Sequence, residues 1–455
     1  MFSYNRNLSP RSKRAGSQIA LAIALASGAV LGVTALEAPA FAAKKDKKDK
    51  KDEAPKTNYS KGFIAVYTPV DGLYKAEVKD NAAMVAAIPT MVAGIETPDD
   101  RFASGNLIYS IGRHTERRDL QRQGVGLMLE SGKVPPAAVA DYNYLAGQLA
   151  YQDEDWAAAR AGILAAVAAG YSGSGPQALV AETYFSQDMY AEGLEYLAAE
   201  VNALVAAGQP VDETWLKRGI SVAYNNDYAE TASAFARTYA KLYPGRDSWG
   251  DAIAIERNFS NFENQETLDI LRLSFRVKSL RNERDYVDYI DAADARRLPG
   301  EVSRVVEAGI SAGLLSPSDV FIAESRDTAK ARIKSDQAEL PSLESDARKT
   351  GSTALTATAA GDAMLSYGKA AQAEEMYTIA LGKAGADTQR VLTRLGIAQV
   401  DQGKTAEAKA TFAKITGKRA AIAKLWAVYV EQKAAAMAPE PAASVATAPA
   451  PAEAM

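Results

Sequence analysis

Asp285, Asp288, Asp291 and Asp294 stand at three-residue intervals in a stretch of helical periodicity, the one run of side chains here with evident catalytic or ion-binding potential. Glycoside hydrolysis needs two carboxylates held a fixed distance apart, and a hard cation needs several that converge. Three-residue steps drift round a helix of 3.6 residues per turn, so four such side chains cannot meet at one ion. The row reads as a solvated acidic face, with a cation or a basic partner as the alternative. Histidine chemistry is confined to His114, the only histidine in 455 residues, and cysteine is absent. A zinc site of the usual His/Cys type therefore cannot be assembled, and disulfides are excluded. His114 lies in Arg113-His114-Thr115-Glu116-Arg117-Arg118 and reads as an exposed turn residue between helices. Gly170 to Pro176, GYSGSGP, lacks the Gly-Lys-Ser/Thr ending of a phosphate-cradling loop and the spacing of a nucleophile elbow, so it reads as a turn. No catalytic residue, metal ligand or cofactor site is expected.

The elements that would position any site are clearest between Ala354 and Lys433. Gly361, Gly368, Ala373 and Tyr377 are answered 35 residues later by Gly396, Gly403, Ala408 and Phe412. A period in the mid-thirties with apolar residues at helical spacing points to stacked helical hairpins. Gly396 and Ala408, 12 residues apart around Gly403-Lys404-Thr405, fall near the crossing of an antiparallel pair, where small side chains let the axes approach. Gly368 and Gly403 suit helix ends, supplying a left-handed residue. One hairpin cannot bury its apolar face alone, so its neighbours must cover it.

This pattern resembles the tetratricopeptide repeat family: a small residue, a second 12 on, a large ring four further, another small residue, then Pro or Gly. Gly361, Ala373, Tyr377, Ala380 and Gly385 fit throughout, whereas the last copy departs at Ile415. Earlier copies follow the same spacing at Gly112, Gly124 and Met128, at Gly147, Ala159 and Ile163, at Ala181, Gly193 and Leu197, and at Gly219, Thr231 and Phe235. The resemblance implies an α-solenoid whose first helices line a concave groove, with contacts one, four and five residues after the small residue and three and six before it. Those positions include Tyr144, Gln148, Tyr151, Gln152, Glu182, Phe185, Leu216, Ile220 and Tyr224, and in the C-terminal pair Asp362, Leu365, Ile397 and Asp401. The Lys/Asn clamp with which some family members grip a peptide carboxylate is absent from them.

The remaining chain is read around that frame. Residues 1–42 have a basic start at Arg6, Arg11, Lys13 and Arg14, an apolar run from Ile19 to Thr34 and Ala40-Phe41-Ala42 as a small-x-small cleavage site, the layout of a secretory signal. Residues 43–58 read as a charged linker and 59–100 as an N-terminal cap region. Repeats are expected over 101–246, degenerate helices over 247–350, C-terminal repeats over 351–433 and a disordered Ala/Pro-rich tail over 434–455. Formal net charge is −4 and falls to about −7 without residues 1–42, which argues against nucleic acid. The expectation is an all-α, exported bacterial member of the repeat family: periplasmic, non-enzymatic, not stably inserted in the membrane once the signal is cleaved, and binding a protein or peptide partner, with envelope assembly or secretion as the process. A carbohydrate-binding or processing factor with a site in residues 251–350 is the alternative.

Overall fold

The computed structural model describes residues 57–437 apart from Ser174. The expected signal sequence, most of the charged linker and all but the first four residues of the expected tail lie outside the described residues. Within them the chain is all-helical: twenty α-helices and a single 3-10 turn, Pro136–Ala138, with no strand. It divides into two compact units, at Leu149 and Ala150.

The first unit contains α1 (Lys61–Lys75), α2 (Asn81–Ala93), α3 (Pro98–His114), α4 (Arg118–Glu130) and all but the last residues of α5 (Val139–Gln152). Phe63-Ile64-Ala65-Val66-Tyr67 opens a helix, and Pro89 is accommodated inside α2. Thr97 and Asp100 form a reciprocal cap on α3 behind Pro98. Asp100, fully buried, also accepts the Ser60 N–H at 3.0 Å and so ties the start of α1 to the start of α3. Burial alone would raise this carboxyl, but the N–H groups of Thr97, Ser60 and Glu96 outweigh it and hold it below its ordinary value. In the α3–α4 hairpin the crossing differs from the expected Gly112–Gly124 pair: a Cβ on Gly124 would lie 2.6 Å from the Gly105 carbonyl oxygen, and one on Gly105 would lie 2.7 Å from Met128 Cγ. The left-handed turn residue is Glu116, only four residues after Gly112. Residues meet across a hairpin when they are equidistant from its turn, which selects Gly105 and Met128.

The second unit holds α6 (Trp156–Ala168), α7 (Pro176–Phe185), α8 (Tyr190–Ala206), α9 (Glu213–Asn225), α10 (Ala229–Leu242), α11 (Arg246–Ser260), α12 (Asn264–Arg276), α13 (Glu283–Ala293), α14 (Pro299–Ser311), α15 (Val320–Arg348), α16 (Ala354–Ser366), α17 (Ala370–Leu381), α18 (Thr388–Asp401), α19 (Thr405–Phe412) and α20 (Arg419–Met437). Successive helices pack on one another, and first helices of neighbouring hairpins also touch, as α16 does α18. Here the repeat geometry appears directly. A Cβ on Gly361 would sit 2.6 Å from Tyr377, on Gly396 2.6 Å from Phe412 and on Gly219 2.7 Å from Phe235, each ring 16 residues beyond its glycine. Hairpins turn through one left-handed residue, whose successor donates its N–H five residues back: Asp155 to Ala150, Met189 to Tyr184, Tyr228 to Ala223, Lys369 to Met364 and Lys404 to Gln399.

Pro299 opens α14 at its first turn. The C-terminal unit departs from an open stack: α20 returns to pack against α10, α11, α12 and α18, and α12 packs on α18. Residues 268–274 of α12, 361–366 of α16 and 391–400 of α18 are buried on every face. The first helices of the C-terminal hairpins are therefore enclosed, and no groove lies open along them.

Candidate functional site

The expected groove positions divide between the two units. In the first, Tyr144 is buried and hydrogen-bonded to Gln148, itself half-buried, and burial pushes the phenol above its ordinary value. In the second, Tyr151 is half-buried at the end of α5, its ring 5.1 Å from Trp156 and edge-on to it, and its side chain is hydrogen-bonded to Ser186. Burial first, then the Glu182 charge, raises its phenol. Gln152 is exposed. Arg218 of α9 clamps Glu182 of α7 through both carboxylate oxygens, at 2.6 and 2.8 Å, and its guanidinium lies 5.3 Å from the centre of the Phe185 ring. Phe185 and Leu216 are buried beneath and Ile220 is half-buried, so these three support the surface. Tyr224, 39% exposed, receives a hydrogen bond from Asn258 at 3.1 Å and stacks edge-on against Phe259. Tyr151, Gln152, Glu182 with Arg218, and Tyr224 thus present phenols, an amide and a neutralised ion pair. Such a surface can hydrogen-bond and cover apolar area, but it holds no activated nucleophile.

At the corresponding C-terminal positions the occupant is part of the same chain. Asp401, five residues after Gly396, holds Arg276 of α12 at 2.6 and 3.0 Å. Ser366, five after Gly361, accepts the Glu301 N–H of α14 at 3.0 Å, and its carbonyl accepts from Arg304 at 2.6 Å. Asp362, one after Gly361, is gripped by Arg394, Arg390 and the Tyr377 hydroxyl. Leu365 and Ile397 are buried.

Asp362 belongs to a buried ionic core. Asp269 meets Arg272 at 3.0 Å, Arg394 at 3.0 Å and Arg419 at 2.6 Å, while Arg272 clamps Glu301 at 2.7 and 2.8 Å and Tyr289 donates to that same carboxylate at 2.7 Å. Burial would raise the Asp269 carboxyl, but Arg394, Arg419 and Arg272 outweigh it and hold it at about 2; Arg272 does the same for Glu301, also at about 2. Two carboxylates inside residues 251–350 thus converge with shifted acidity, but downward, enclosed and fully paired, the opposite of what a general acid needs. The sequence reading missed this core apart from Asp362, because isolated Asp and Arg residues in an amphipathic helix look like solvated charges.

The aspartate row is dispersed. Asp285 and Asp288 pair with Arg257, Asp285 also accepts the Arg281 N–H, Asp291 is exposed, and Asp294 caps the end of α13 with a left-handed backbone. His114 closes α3 instead of occupying a loop, its Nε2 3.1 Å from Asn81 Oδ1. GYSGSGP links α6 to α7, with Gly170 and Gly175 left-handed and Pro176 opening the helix. Among the described residues no helix is long and apolar enough to cross a membrane, and no three His, Cys, Asp or Glu side chains gather where they could hold a metal ion. No family model matches the chain, and no curated protein is significantly similar to it.

Proposed function

We propose that this chain is a non-enzymatic tetratricopeptide-like scaffold of the bacterial envelope, exported to the periplasm by its N-terminal segment, and that it binds a polypeptide on the first helices of its earlier hairpins. One observation carries the reading. The positions expected to contact a ligand hold α12 and α14 of this same chain in the C-terminal half, through Asp401–Arg276 and Ser366–Glu301. A surface built to grip an amphipathic helix is thus already in use within the molecule. The equivalent positions on α7, α9 and the end of α5 keep Gln152 and Tyr224 exposed and Tyr151 half-exposed, with aromatic and amide groups that suit an extended chain or a helix. Envelope assembly or secretion is the process that family analogy suggests.

The test is affinity capture from envelope extracts with the wild-type chain and with a Tyr151→Ala/Tyr224→Ala double variant. A polypeptide retained by the first and lost by the second is the expected outcome. Capture of the same partners by both would refute the assignment of this surface.

A further inference from the structure

A separate cleft lies in the C-terminal unit. A cleft of about 630 Å³ opens where the start of α11, the ends of α12 and α14 and the face of α13 come together, a size typical of small-molecule sites. Its walls are apolar: Phe275, Leu280, Ala308, Ala312 and Leu314. Ala308 and Ala312, four residues apart on one face of α14, leave the floor low. Three polar side chains line it as well, Arg246, Lys278 and Tyr286, and no carboxylate does.

The polar groups are arranged for a ligand. Tyr286 is more than nine-tenths buried as a residue, and its hydroxyl, which makes no hydrogen bond among the described residues, lines the cleft where water can reach it. Burial raises this phenol, and the neighbouring Arg246 charge offsets part of the rise. Arg246 spends one N–H on the Arg281 carbonyl at 3.3 Å and pairs with no carboxylate among the described residues. Being the first residue of α11, it also stands at the positive end of that helix. Lys278, exposed and held left-handed at the end of α12, has no anionic partner among the described residues. Nearby carboxylates are engaged elsewhere, Asp285 by Arg257 and Arg281, and Glu307 by Arg326 and Lys330; Asp247 is exposed.

We infer that this cleft binds an amphipathic monocarboxylate of fatty-acid type, its carboxylate held by Arg246 and the Tyr286 hydroxyl with Lys278 at the mouth, and its hydrocarbon laid along Phe275, Leu280 and the α14 floor. Opposite charge draws in the head group and the apolar wall covers the tail; an alcohol of the same length has only the second, and a cationic amphiphile is repelled. The site is independent of the polypeptide-binding surface on α7 and α9.

Isothermal titration of the full chain with sodium dodecanoate and dodecyltrimethylammonium, each below its micelle concentration, and with dodecan-1-ol below its solubility limit tests this. Dodecanoate is expected to bind at one site, at least about tenfold tighter than the alcohol, with no binding of the cation. Arg246→Gln should weaken dodecanoate about tenfold and Arg246→Lys far less, while Ala312→Phe, which fills the floor, should abolish binding. Arg246 lies at the surface, so its variants keep the test decisive even if Ala312→Phe fails to fold. Absence of dodecanoate binding, equal binding of the alcohol, or indifference to Arg246→Gln overturns the proposal. So does binding that survives in a folded Ala312→Phe protein, which would place the fatty acid in the apolar cleft between Ile88 of α2 and Leu120 of α4.

Discussion

Arg394 Nε lies 3.0 Å from Asp269 Oδ1 with both side chains wholly excluded from water, although 125 residues separate them. This contact joins α18 to α12, and through Asp362, Glu301 and Arg419 it extends to α16, α14 and α20. It is the polar counterpart of the closure made by α20, whose Trp426 is fully buried and donates its indole N–H to the Asp269 carbonyl.

Removing one partner from such a core leaves an uncompensated charge in a place water cannot reach. Asp269→Asn is expected to cost about 3 to 5 kcal/mol, read by urea unfolding at pH 7. Arg390→Gln, at the partly exposed edge where the Arg390 Nε already lacks a partner, should cost much less. Equal midpoints for Asp269→Asn and the wild type would show that the network does not hold the unit together.

Acid should dissolve the same core. Asp269 and Glu301 are held at about 2, against ordinary values of 3.8 and 4.5. A carboxyl whose native value is depressed stabilises the fold above its unfolded value and loses that contribution as pH falls toward the native one. Melting temperature is therefore expected to be level from pH 7 to about 5 and to drop between about 4.5 and 2, and Asp269→Asn should shrink the drop. A profile that Asp269→Asn leaves unchanged would contradict the assignment.

The helix crossings give a packing prediction. Ala373 and Ala408 are fully buried in the C-terminal hairpins, whereas Ala371 is exposed on the same helix as Ala373. Ala373→Leu and Ala408→Leu should each cost about 1 to 3 kcal/mol by overpacking. Ala371→Leu should be silent, and a common melting temperature for all three would rule out tight crossings there.

Of the hairpin turns that carry a left-handed acidic residue, those at Glu154 and Asp227 offer a test of backbone strain. Glu154 and Asp227 are exposed with φ of 58° and 62°, the conformation that Gly368 and Gly403 occupy at the equivalent C-terminal turns. A left-handed L-residue costs about 1 to 2 kcal/mol, and glycine gives back part of that gain in unfolded-chain entropy. Glu154→Gly and Asp227→Gly are thus expected to stabilise by up to about 1 kcal/mol each in chemical unfolding; destabilisation by either would show that its side chain contributes more than its backbone strain costs.

Local order was legible in the chain itself. Glycine at the crossing with a ring 16 residues on, left-handed glycines at two turns, and apolar periodicity through residues 247–350 all reflect forces that act within a hairpin. The segment around Glu116 reads as a turn from its charge, whereas the turns at Glu154, Asp188 and Asp227 carry no glycine to mark them, because an acidic residue there adopts a conformation that few non-glycine residues occupy. The Gly112 crossing was misplaced because the spacing rule assumes a turn seven residues on.

By itself the sequence determined that the chain is helical, that its helices pair as hairpins, and, where the turn falls seven residues after the glycine, which small residues let them cross, since each depends on neighbours within a few turns. Only the tertiary structure decided that α20 closes the C-terminal unit, that α12 fills the place of a groove beside α18, and that Tyr286 faces a cleft among four helices. An aspartate in an amphipathic helix carries no mark of whether water or an arginine 125 residues away will neutralise it. That choice is made by which helix faces meet when the chain packs, and sequence periodicity is blind to distance.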